Sequence, residues 1–240
     1  MANNYFQFKQ FKIVQQHSAM KVGTDGVLIG AWTNVENTVT ILDVGTGTGL
    51  IALMMAQRTN AQITAIEIVK EAAKEATENV NNSPWKERVI IKNISFQDFV
   101  KSSKSKFDLI VSNPPFFINS YKTENEHRTI ARHNDLLPFD ELVKGAKKLL
   151  SENGRLAIIL PVEPAEIFIE IAKNEGLNLT RLTKVKPKSL KIPNRFLMEF
   201  TVQELTLSDD ILTIYLEDSS DYTEKFKQLI RDFYLYENKR

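Results

Sequence analysis

Two short strings in this chain carry residues whose types and spacing could do chemistry. The first places Gly45, Gly47 and Gly49 in a G-x-G-x-G turn that directly follows an apolar run. The second is Asn-Pro-Pro-Phe at 113–116, which ends another apolar run. Open α/β folds bind ligands beyond the carboxyl ends of their parallel strands, so we expect the two turns to lie side by side at that edge.

The glycine turn has the features of a nucleotide-like cofactor site. Glycine adopts positive φ and lets a ligand approach the backbone closely, and the helix that follows Gly49 offers amides that suit a carboxylate or phosphate. Asp43 precedes the turn, and Glu67 ends the next strand about 20 residues later, where a carboxylate can hold ribose hydroxyls. A dehydrogenase would more usually show G-x-G-x-x-G, and a tight turn without a ligand is the structural alternative.

The Asn-Pro-Pro-Phe string fits transfer of a group onto a planar amino nitrogen. Such a nitrogen is a poor nucleophile because its lone pair is delocalised into the ring, so an enzyme must hold both amino hydrogens with acceptors. The side-chain carbonyl of Asn113 and the backbone carbonyl of Pro114 could be those acceptors, and two prolines, Pro114 and Pro115, stiffen the turn. Phe116 could stack on the base. The alternative is a rigid loop with Phe116 in the core.

Composition narrows the function classes. The chain has 240 residues, 42% hydrophobic and 25% charged, as expected for one large domain or a domain with a small extension. It has no cysteine, which excludes disulfides and thiolate metal sites, and we predict no metal. No apolar run approaches the roughly 20 residues of a membrane span, and no signal peptide is recognisable, so we expect a cytoplasmic protein. With a net charge of +1, any nucleic-acid contact must come from local patches.

The hydrophobic pattern predicts an α/β fold. Strands alternate with helices, which indicates a doubly wound, mostly parallel sheet with helices on both faces. The predicted strands are 39–44, 62–68, 88–94, 107–112 and 155–160, and the predicted helices are 50–58, 69–81, 138–150 and 165–173. Beyond Gly176 we predict an antiparallel pair of strands at the sheet edge, 177–185 and 196–204, then a strand at 211–216 and a helix at 222–236.

The two motifs resemble those of Rossmann-like, S-adenosylmethionine-dependent methyltransferases that act on planar nitrogens. Stretches 6–11, 20–32, 222–223 and 232–235 are similar to the bacterial tRNA1(Val) (adenine-N6)-methyltransferases, so the resemblance covers nearly the whole chain. It implies methyl transfer from S-adenosylmethionine to N6 of the adenosine just 3′ of the anticodon. It also implies one domain over 1–240, in which 1–38 is an extension that packs over the cofactor site and 39–240 is the Rossmann-like core.

The resemblance assigns roles to individual residues. The three glycines would bind the methionine end of the cofactor and Glu67 its ribose. Asp98 would lie near the cofactor's adenine amino group, although a helix cap or loop aspartate is an equal alternative. Thr24 and Asp25 would close over the cofactor, or simply begin a helix at 26–32. No general base is expected, because the sulfonium already makes the methyl group electrophilic.

Two basic segments are candidates for RNA contact. One is the loop after the second motif, with Arg128 and Arg132. The other is a run of five cations, in which Lys186, Lys188 and Arg195 are the residues we expect to meet phosphates. A solvated hairpin rim is the alternative for the second segment.

Three other functions share part of this pattern. A glutamine methyltransferase of release factors has the same Asn-Pro-Pro-aromatic turn, but it usually carries a helical domain before the glycine turn, and only about forty residues precede Asp43. A DNA adenine methyltransferase normally needs a sizeable target-recognition insert, for which the gaps between motifs are short. The third is a non-catalytic RNA-binding module that kept the fold. The intact Asn-Pro-Pro-Phe string at 113–116 argues against it, because such a module would not need these residues.

Overall fold

The computed structural model describes residues 4–16, 21–115 and 137–235. Three of the predicted site residues, Phe116, Arg128 and Arg132, lie outside the described residues. The strands, in chain order, are β1 (Tyr5–Gln7), β2 (Lys12–Val14), β3 (Thr40–Val44), β4 (Gln62–Glu67), β5 (Val89–Asn93), β6 (Phe107–Ser112), β7 (Leu150–Pro161), β8 (Asn178–Lys186), β9 (Arg195–Thr201) and β10 (Ser208–Thr213). The helices are α1 (Thr24–Trp32), α2 (Leu50–Arg58), α3 (Lys70–Asn81), α4 (Phe96–Ser102), α5 (Phe139–Leu149), α6 (Val162–Asn174) and α7 (Glu224–Ile230).

Eight strands form one sheet in the order β10-β8-β9-β7-β6-β3-β4-β5. Strand β9 is antiparallel to both of its neighbours, and every other adjacent pair in this sheet is parallel. The predicted doubly wound sheet and its antiparallel pair, β8 with β9, are therefore confirmed. Strand β10 adds to β8 in parallel and forms the outer edge of the sheet. The short strands β1 and β2 form a separate hairpin.

Apolar side chains on successive strand residues point to opposite faces of the sheet and build two cores. In β6, Leu109 and Val111 join the core under α1, α2 and α7, whereas Ile110 joins the core under α4, α5 and α6. Because both faces are covered, the central strands are continuous apolar runs, as is usual for parallel sheets.

The ends of several elements differ from the sequence prediction, and the differences are largest at β7 and at the last helix. Strand β7 begins at Leu150, five residues before the predicted start, because Leu150 pairs with Phe107 across a register shift in the β6–β7 ladder. The last helix ends at Ile230 rather than near 236. Beyond it the amide of Phe233 donates to the carbonyl of Ile230, and the Phe233 carbonyl accepts the amide of Lys9 in the N-terminal hairpin. Tertiary contact therefore replaces the last predicted turns of the helix.

Helix α1 packs closely on α2 through its glycines. A Cβ at Gly30 would lie 2.6 Å from Met54 Sδ, and one at Gly26 would lie 2.9 Å from Leu50 Cδ2. Since α2 begins at the glycine turn, this close approach places the start of α1 near the same edge of the sheet. In the part of the chain that the structure describes, no helix is long and apolar enough to cross a bilayer.

Candidate active site

The two sequence motifs follow neighbouring strands at the same edge of the sheet. In the parallel β3–β6 ladder, Val44 pairs with Ser112, so Gly45 and Asn113 are the next residues on adjacent strands. The Ser112 hydroxyl is buried and donates to the Val44 carbonyl at 2.8 Å, which ties the two strand ends together. Adjacent strands lie about 4.8 Å apart. The predicted juxtaposition of the two turns is therefore present.

The glycine turn is held open by backbone hydrogen bonds. The amides of Gly45 and Thr46 both donate to the Ile66 carbonyl on β4 at 3.0 Å, and the amide of Gly49 donates to the Thr46 carbonyl. Gly47 has φ of 55°, in the left-handed region, and a Cβ built there would meet no atom within 4 Å. A side chain is thus disfavoured at this position by backbone conformation, while the space beside it is free for a ligand.

Glu67 links the ends of β4 and β3. It is 8% exposed, and its two carboxylate oxygens accept the amides of Gly47 and Val69, each at 2.9 Å. The Asn93 side chain donates to the Glu67 carbonyl and so fixes the backbone from the β5 side. A carboxylate has about four acceptor positions, so Glu67 keeps capacity for ribose hydroxyls while it shapes the turn.

Asp43 lies fully buried beneath the turn. Its Oδ2 accepts the Thr46 hydroxyl and, at 3.1 Å, the amide of Ala52 in the first turn of α2. Its Oδ1 is buried without a hydrogen-bond partner. Burial raises the pKa of Asp43 to about 7, against the opposing hydrogen bonds from Thr46 and Ala52 and with a small further increase from the charge of Glu67. One of the helix amides expected for a ligand is therefore used by Asp43 itself.

The predicted amine-binding turn leaves the sheet directly after β6. Asn113 is half-buried, Pro114 is buried and Pro115 is exposed. Among the hydrogen bonds within the described residues, none uses the Asn113 side chain. Its amide oxygen is therefore available as an acceptor at the sheet edge, held by a strand end on one side and by two prolines on the other.

A polar contact that the sequence analysis missed ties the N-terminal hairpin to the glycine turn. Asn79 on α3 is 2% exposed; its amide nitrogen donates to the carbonyls of Val14 and Thr48, and its oxygen accepts the Val14 amide. One turn earlier, Glu75 accepts the amide of Gln16 at 2.6 Å. The sequence contained a signal for this contact. Glu75 and Asn79 lie at helical spacing on the alanine-rich face of α3, beside Ala72 and Ala76, and polar residues on such a face indicate a buried polar contact.

Predicted cofactor and RNA residues meet at the start of α1. Thr24 is exposed in the first turn, and Asp25 forms an ion pair with Arg195, with Arg195 Nε 2.9 Å from Asp25 Oδ2. The predicted helix is present, and it begins at Thr24, two residues before the predicted start. Arg195 begins β9, so the ion pair joins the N-terminal segment to the basic hairpin of β8 and β9. This contact stabilises the segment in addition to any role of Arg195 with RNA.

Asp98 lies in the first turn of α4, where its contacts are those of a helix start. Its amide donates to the hydroxyl of the N-cap residue Ser95, and that hydroxyl donates back to the Asp98 carboxylate at 2.8 Å. These hydrogen bonds, with a smaller contribution from Lys101, hold the pKa of Asp98 below its ordinary value. These are the contacts expected of an aspartate at the start of a helix. The contact with adenine stays a prediction.

The basic hairpin lies at the same edge as the two motifs, because β8 runs parallel to the core strands and ends there. Lys186 Nζ donates to the Ser189 carbonyl, and Lys188 Nζ donates to the Glu217 carbonyl, each at 2.7 Å. Lys184 pairs with Asp209. An ammonium group has three donors, so these lysines can hold the hairpin in shape and still contact phosphates.

The residues at this edge fit an S-adenosylmethionine molecule. The free space beside Gly47 admits a ligand against the backbone, and the unpartnered Oδ1 of Asp43 marks an acceptor that a ligand ammonium or a water could satisfy. The carboxylate of Glu67 gives the site a negative charge that suits a sulfonium and an α-ammonium group, and Asp43 ionises beneath the turn only as the pH rises past about 7. In the described ranges, no cluster of three histidine, aspartate or glutamate side chains could hold a metal ion.

The pKa of Asp43 makes the stability of the ligand-free protein depend on pH. Because the pKa is higher in the folded than in the unfolded chain, folding takes up a proton between about pH 4 and 7, and stability falls as pH rises through this range. We expect Asp43→Asn to remove this pH-dependent loss of unfolding free energy, which is at most about 1.4 kcal/mol per pH unit. Urea unfolding from pH 5 to 8 measures the unfolding free energy of wild type and variant. Asp140→Asn, at an exposed position on α5, is the control for the loss of one negative charge. A constant difference between wild type and Asp43→Asn would contradict this account of Asp43.

Residues 14–164 match the protein family described as methyltransferase small domain. Among solved structures, the fold is similar to a predicted O-methyltransferase from Agrobacterium tumefaciens, with a TM-score of 0.71 and 17% identity over 89% of this chain and 98% of that one. A ribosomal protein L11 methylase from Lactobacillus delbrueckii subsp. bulgaricus matches with a TM-score of 0.52 at 16% identity, over 73% of this chain and 76% of that one.

Two curated relatives are similar over nearly their whole length. A protein of Flavobacterium psychrophilum is 46% identical over 96% of this chain and 99% of its own. A protein of Trichodesmium erythraeum is 48% identical over 98% of this chain and 99% of its own. Both are named tRNA1(Val) (adenine(37)-N6)-methyltransferase. The chain belongs to the methyltransferase small domain family and, within it, to the tRNA1(Val) (adenine(37)-N6)-methyltransferases.

Proposed function

We propose that this protein transfers a methyl group from S-adenosylmethionine to N6 of adenosine 37 in tRNA1(Val), the nucleoside 3′ of the anticodon. The observation that carries the proposal is the pairing of Val44 with Ser112, which sets the glycine turn and Asn113 at the ends of adjacent strands. The names of the full-length relatives support the choice of tRNA as substrate. The protein acts in the cytoplasm.

The cofactor is held by the glycine turn and the carboxylates around it. S-adenosylmethionine supplies an electrophilic methyl group on a positively charged sulfur that leaves as a neutral thioether. Gly45, Gly47 and Gly49 line the methionine end, and Glu67 accepts the ribose hydroxyls. Asp43 keeps the turn in shape from below, through its hydrogen bonds to Thr46 and Ala52.

Three further residues complete the cofactor site in this proposal. Thr24 and Asp25 close it from the N-terminal side, as part of an extension over 1–38 that packs on the 39–240 core. Asp98 accepts the adenine amino group. Asn79, which binds both the extension and the glycine turn, aligns the two parts.

Asn113 and Pro114 prepare the amino group of adenine for attack. Their carbonyl oxygens accept the two N6 hydrogens, which directs the nitrogen lone pair away from the ring plane and toward the methyl carbon. Pro114 and Pro115 hold these acceptors in place before substrate binds, so little reorganisation is needed in the transition state. Phe116 stacks on the adenine plane. The methylated nitrogen loses its extra proton to water, so no side chain has to act as a general base.

The RNA backbone is held by cations at the sheet edge. Arg128 and Arg132 follow the amine-binding turn in sequence, and Lys186, Lys188 and Arg195 flank it from the β8–β9 hairpin. Contacts of this kind position a nucleic acid without reading its sequence. We therefore expect the affinity for tRNA to fall steeply as salt concentration rises.

The proposed function is tested by incubating the protein with tRNA and isotope-labelled S-adenosylmethionine, then digesting the RNA to nucleosides for mass spectrometry. We expect label in N6-methyladenosine, and only in tRNA1(Val) within a mixture of purified species. DNA and a release factor are the comparison substrates. Label in a glutamine residue or in deoxyadenosine would overturn the assignment of substrate.

Asn113→Ala should remove one of the two acceptors that activate the amine. We expect kcat to fall by about 10²–10³-fold, the usual loss for one preorganised hydrogen bond to a transition state, while the Kd for S-adenosylmethionine changes less than twofold. Asn113→Asp keeps a side-chain oxygen at the position and should retain part of the activity. Asn82→Ala, at the exposed end of α3, is the matched control and should leave kcat unchanged. Normal turnover in Asn113→Ala would contradict the assigned role.

Gly47→Ala should weaken cofactor binding by filling the space beside the turn. We expect the Kd for S-adenosylmethionine to rise at least tenfold, with a loss of about 1–2 kcal/mol in unfolding free energy from the left-handed backbone. Gly176→Ala is the matched control, because Gly176 has φ of 76° after α6, away from the site. It should lose similar stability with unchanged Kd. Equal Kd values for both variants would show that the space beside Gly47 does not hold the cofactor.

A further inference from the structure

The tip of the β8–β9 hairpin carries two aliphatic side chains that the established chemistry does not use. Leu190 is 83% exposed and Ile192 is 84% exposed, more than any other large apolar residue in the described ranges. Single exposed apolar residues are normal on protein surfaces. Here two of them lie on one loop, separated by Lys191 and preceded by Lys188, so the loop presents apolar and positively charged side chains together.

Hydrogen bonds to the segment after β10 hold this loop in place. The Leu190 amide donates to Glu217 Oε2 at 3.2 Å, and the Ser189 hydroxyl donates to the same oxygen at 2.6 Å. These hydrogen bonds hold the pKa of Glu217 below its ordinary value. The carbonyl of Pro187 accepts the Tyr215 amide. The aliphatic side chains are therefore presented to solvent by a loop that is braced against the segment after β10.

The surroundings of the loop tip favour a polyanion that also has flat apolar faces. Lys188 and Lys191 lie on either side of Leu190 in sequence, so a partner that covers the apolar side chains also meets positive charge. The loop is at the same sheet edge as Asn113, and β9 and β8 are two and three strands away from β6. At about 4.8 Å per strand this is about 10–15 Å, the length of three to four bases stacked about 3.4 Å apart.

We propose that Leu190 and Ile192 form a wedge that packs against unpaired bases of the anticodon loop and keeps the target adenosine out of the stack. This inference rests on the proposed function. A base whose amino group is to be methylated must leave its neighbours to reach Asn113. Leucine and isoleucine side chains are among those that insert at base steps and unstack them. The lysines hold the adjacent phosphates while the wedge covers the exposed base faces.

The test uses the anticodon stem-loop of tRNA1(Val) with 2-aminopurine in place of the nucleoside that follows the target adenosine. Loss of stacking raises the fluorescence of 2-aminopurine. We expect saturating wild-type protein to raise it several-fold, and Leu190→Ser/Ile192→Ser to give less than half of that rise at saturation. For the unmodified stem-loop, kcat/KM should fall about tenfold, and the Kd for S-adenosylmethionine should not change.

Two controls separate the wedge from charge and from general surface effects. Lys191→Ser should weaken stem-loop binding and reduce its salt dependence, yet leave the fluorescence at saturation unchanged. Ile167→Ser, at a 52% exposed site on α6, should behave as wild type. A short unstructured oligoribonucleotide with the same adenosine should be methylated by the double variant within twofold of wild type, because its base needs no wedge.

Three outcomes would overturn the proposal. The double variant could give full fluorescence and full kcat/KM on the stem-loop, or it could lose activity equally on the unstructured oligoribonucleotide. Sedimentation could instead show a wild-type dimer that the double variant breaks, which would assign the two side chains to a second copy of the chain. An active wild type with any of these results refutes the wedge alone. A wild type that methylates no RNA refutes the proposed function as well.

Discussion

The parallel register between β3 and β6 is the constraint on which the site depends. Pairing of Val44 with Ser112 places the glycine turn and Asn113 at neighbouring strand ends, and the buried Ser112 hydroxyl adds a second bond between the same strands. A slip of one residue would move every side chain of β6 to the opposite face of the sheet. Both faces are apolar, so the slip is opposed by close packing, which would force Leu109, Ile110 and Val111 into spaces shaped for other side chains, and by loss of the Ser112 hydrogen bond.

The polar residues around this edge act mainly on each other, and this mutual support is what makes the site rigid. Asp43 caps α2, Glu67 binds the Gly47 amide, and Asn79 joins the N-terminal hairpin to the glycine turn. Asp25 and Arg195 connect that N-terminal segment to the β8–β9 hairpin. Buried polar groups that are fully hydrogen-bonded specify a single arrangement. Asp43 Oδ1 is the exception in this part of the described chain, because it is buried beneath the glycine turn without a hydrogen-bond partner.

Sequence reasoning predicted the elements that are apolar runs bounded by glycine or polar residues. Helix α2 has the predicted bounds, and the sheet with its antiparallel pair is as expected, because continuous apolar strands between helices leave few alternatives. The N-terminal hairpin escaped prediction because strands of three residues carry no measurable period. The ion pair of Asp25 with Arg195 joins residues 170 apart in sequence, and no local sequence pattern predicts such a contact. Asp98 shows the opposite case, in which local capping chemistry explained the residue well.

On the proposed function, Asn113 and the glycine turn hold the two reactants across one crevice. A crystal structure of the protein with S-adenosylhomocysteine and the anticodon stem-loop tests it most directly. We expect the thioether beside Gly47 and the N6 atom of the target adenosine about 2.7–3.1 Å from Asn113 Oδ1, the range of a strong hydrogen bond. A target base bound elsewhere, or an Asn113 side chain directed away from it, would contradict the account.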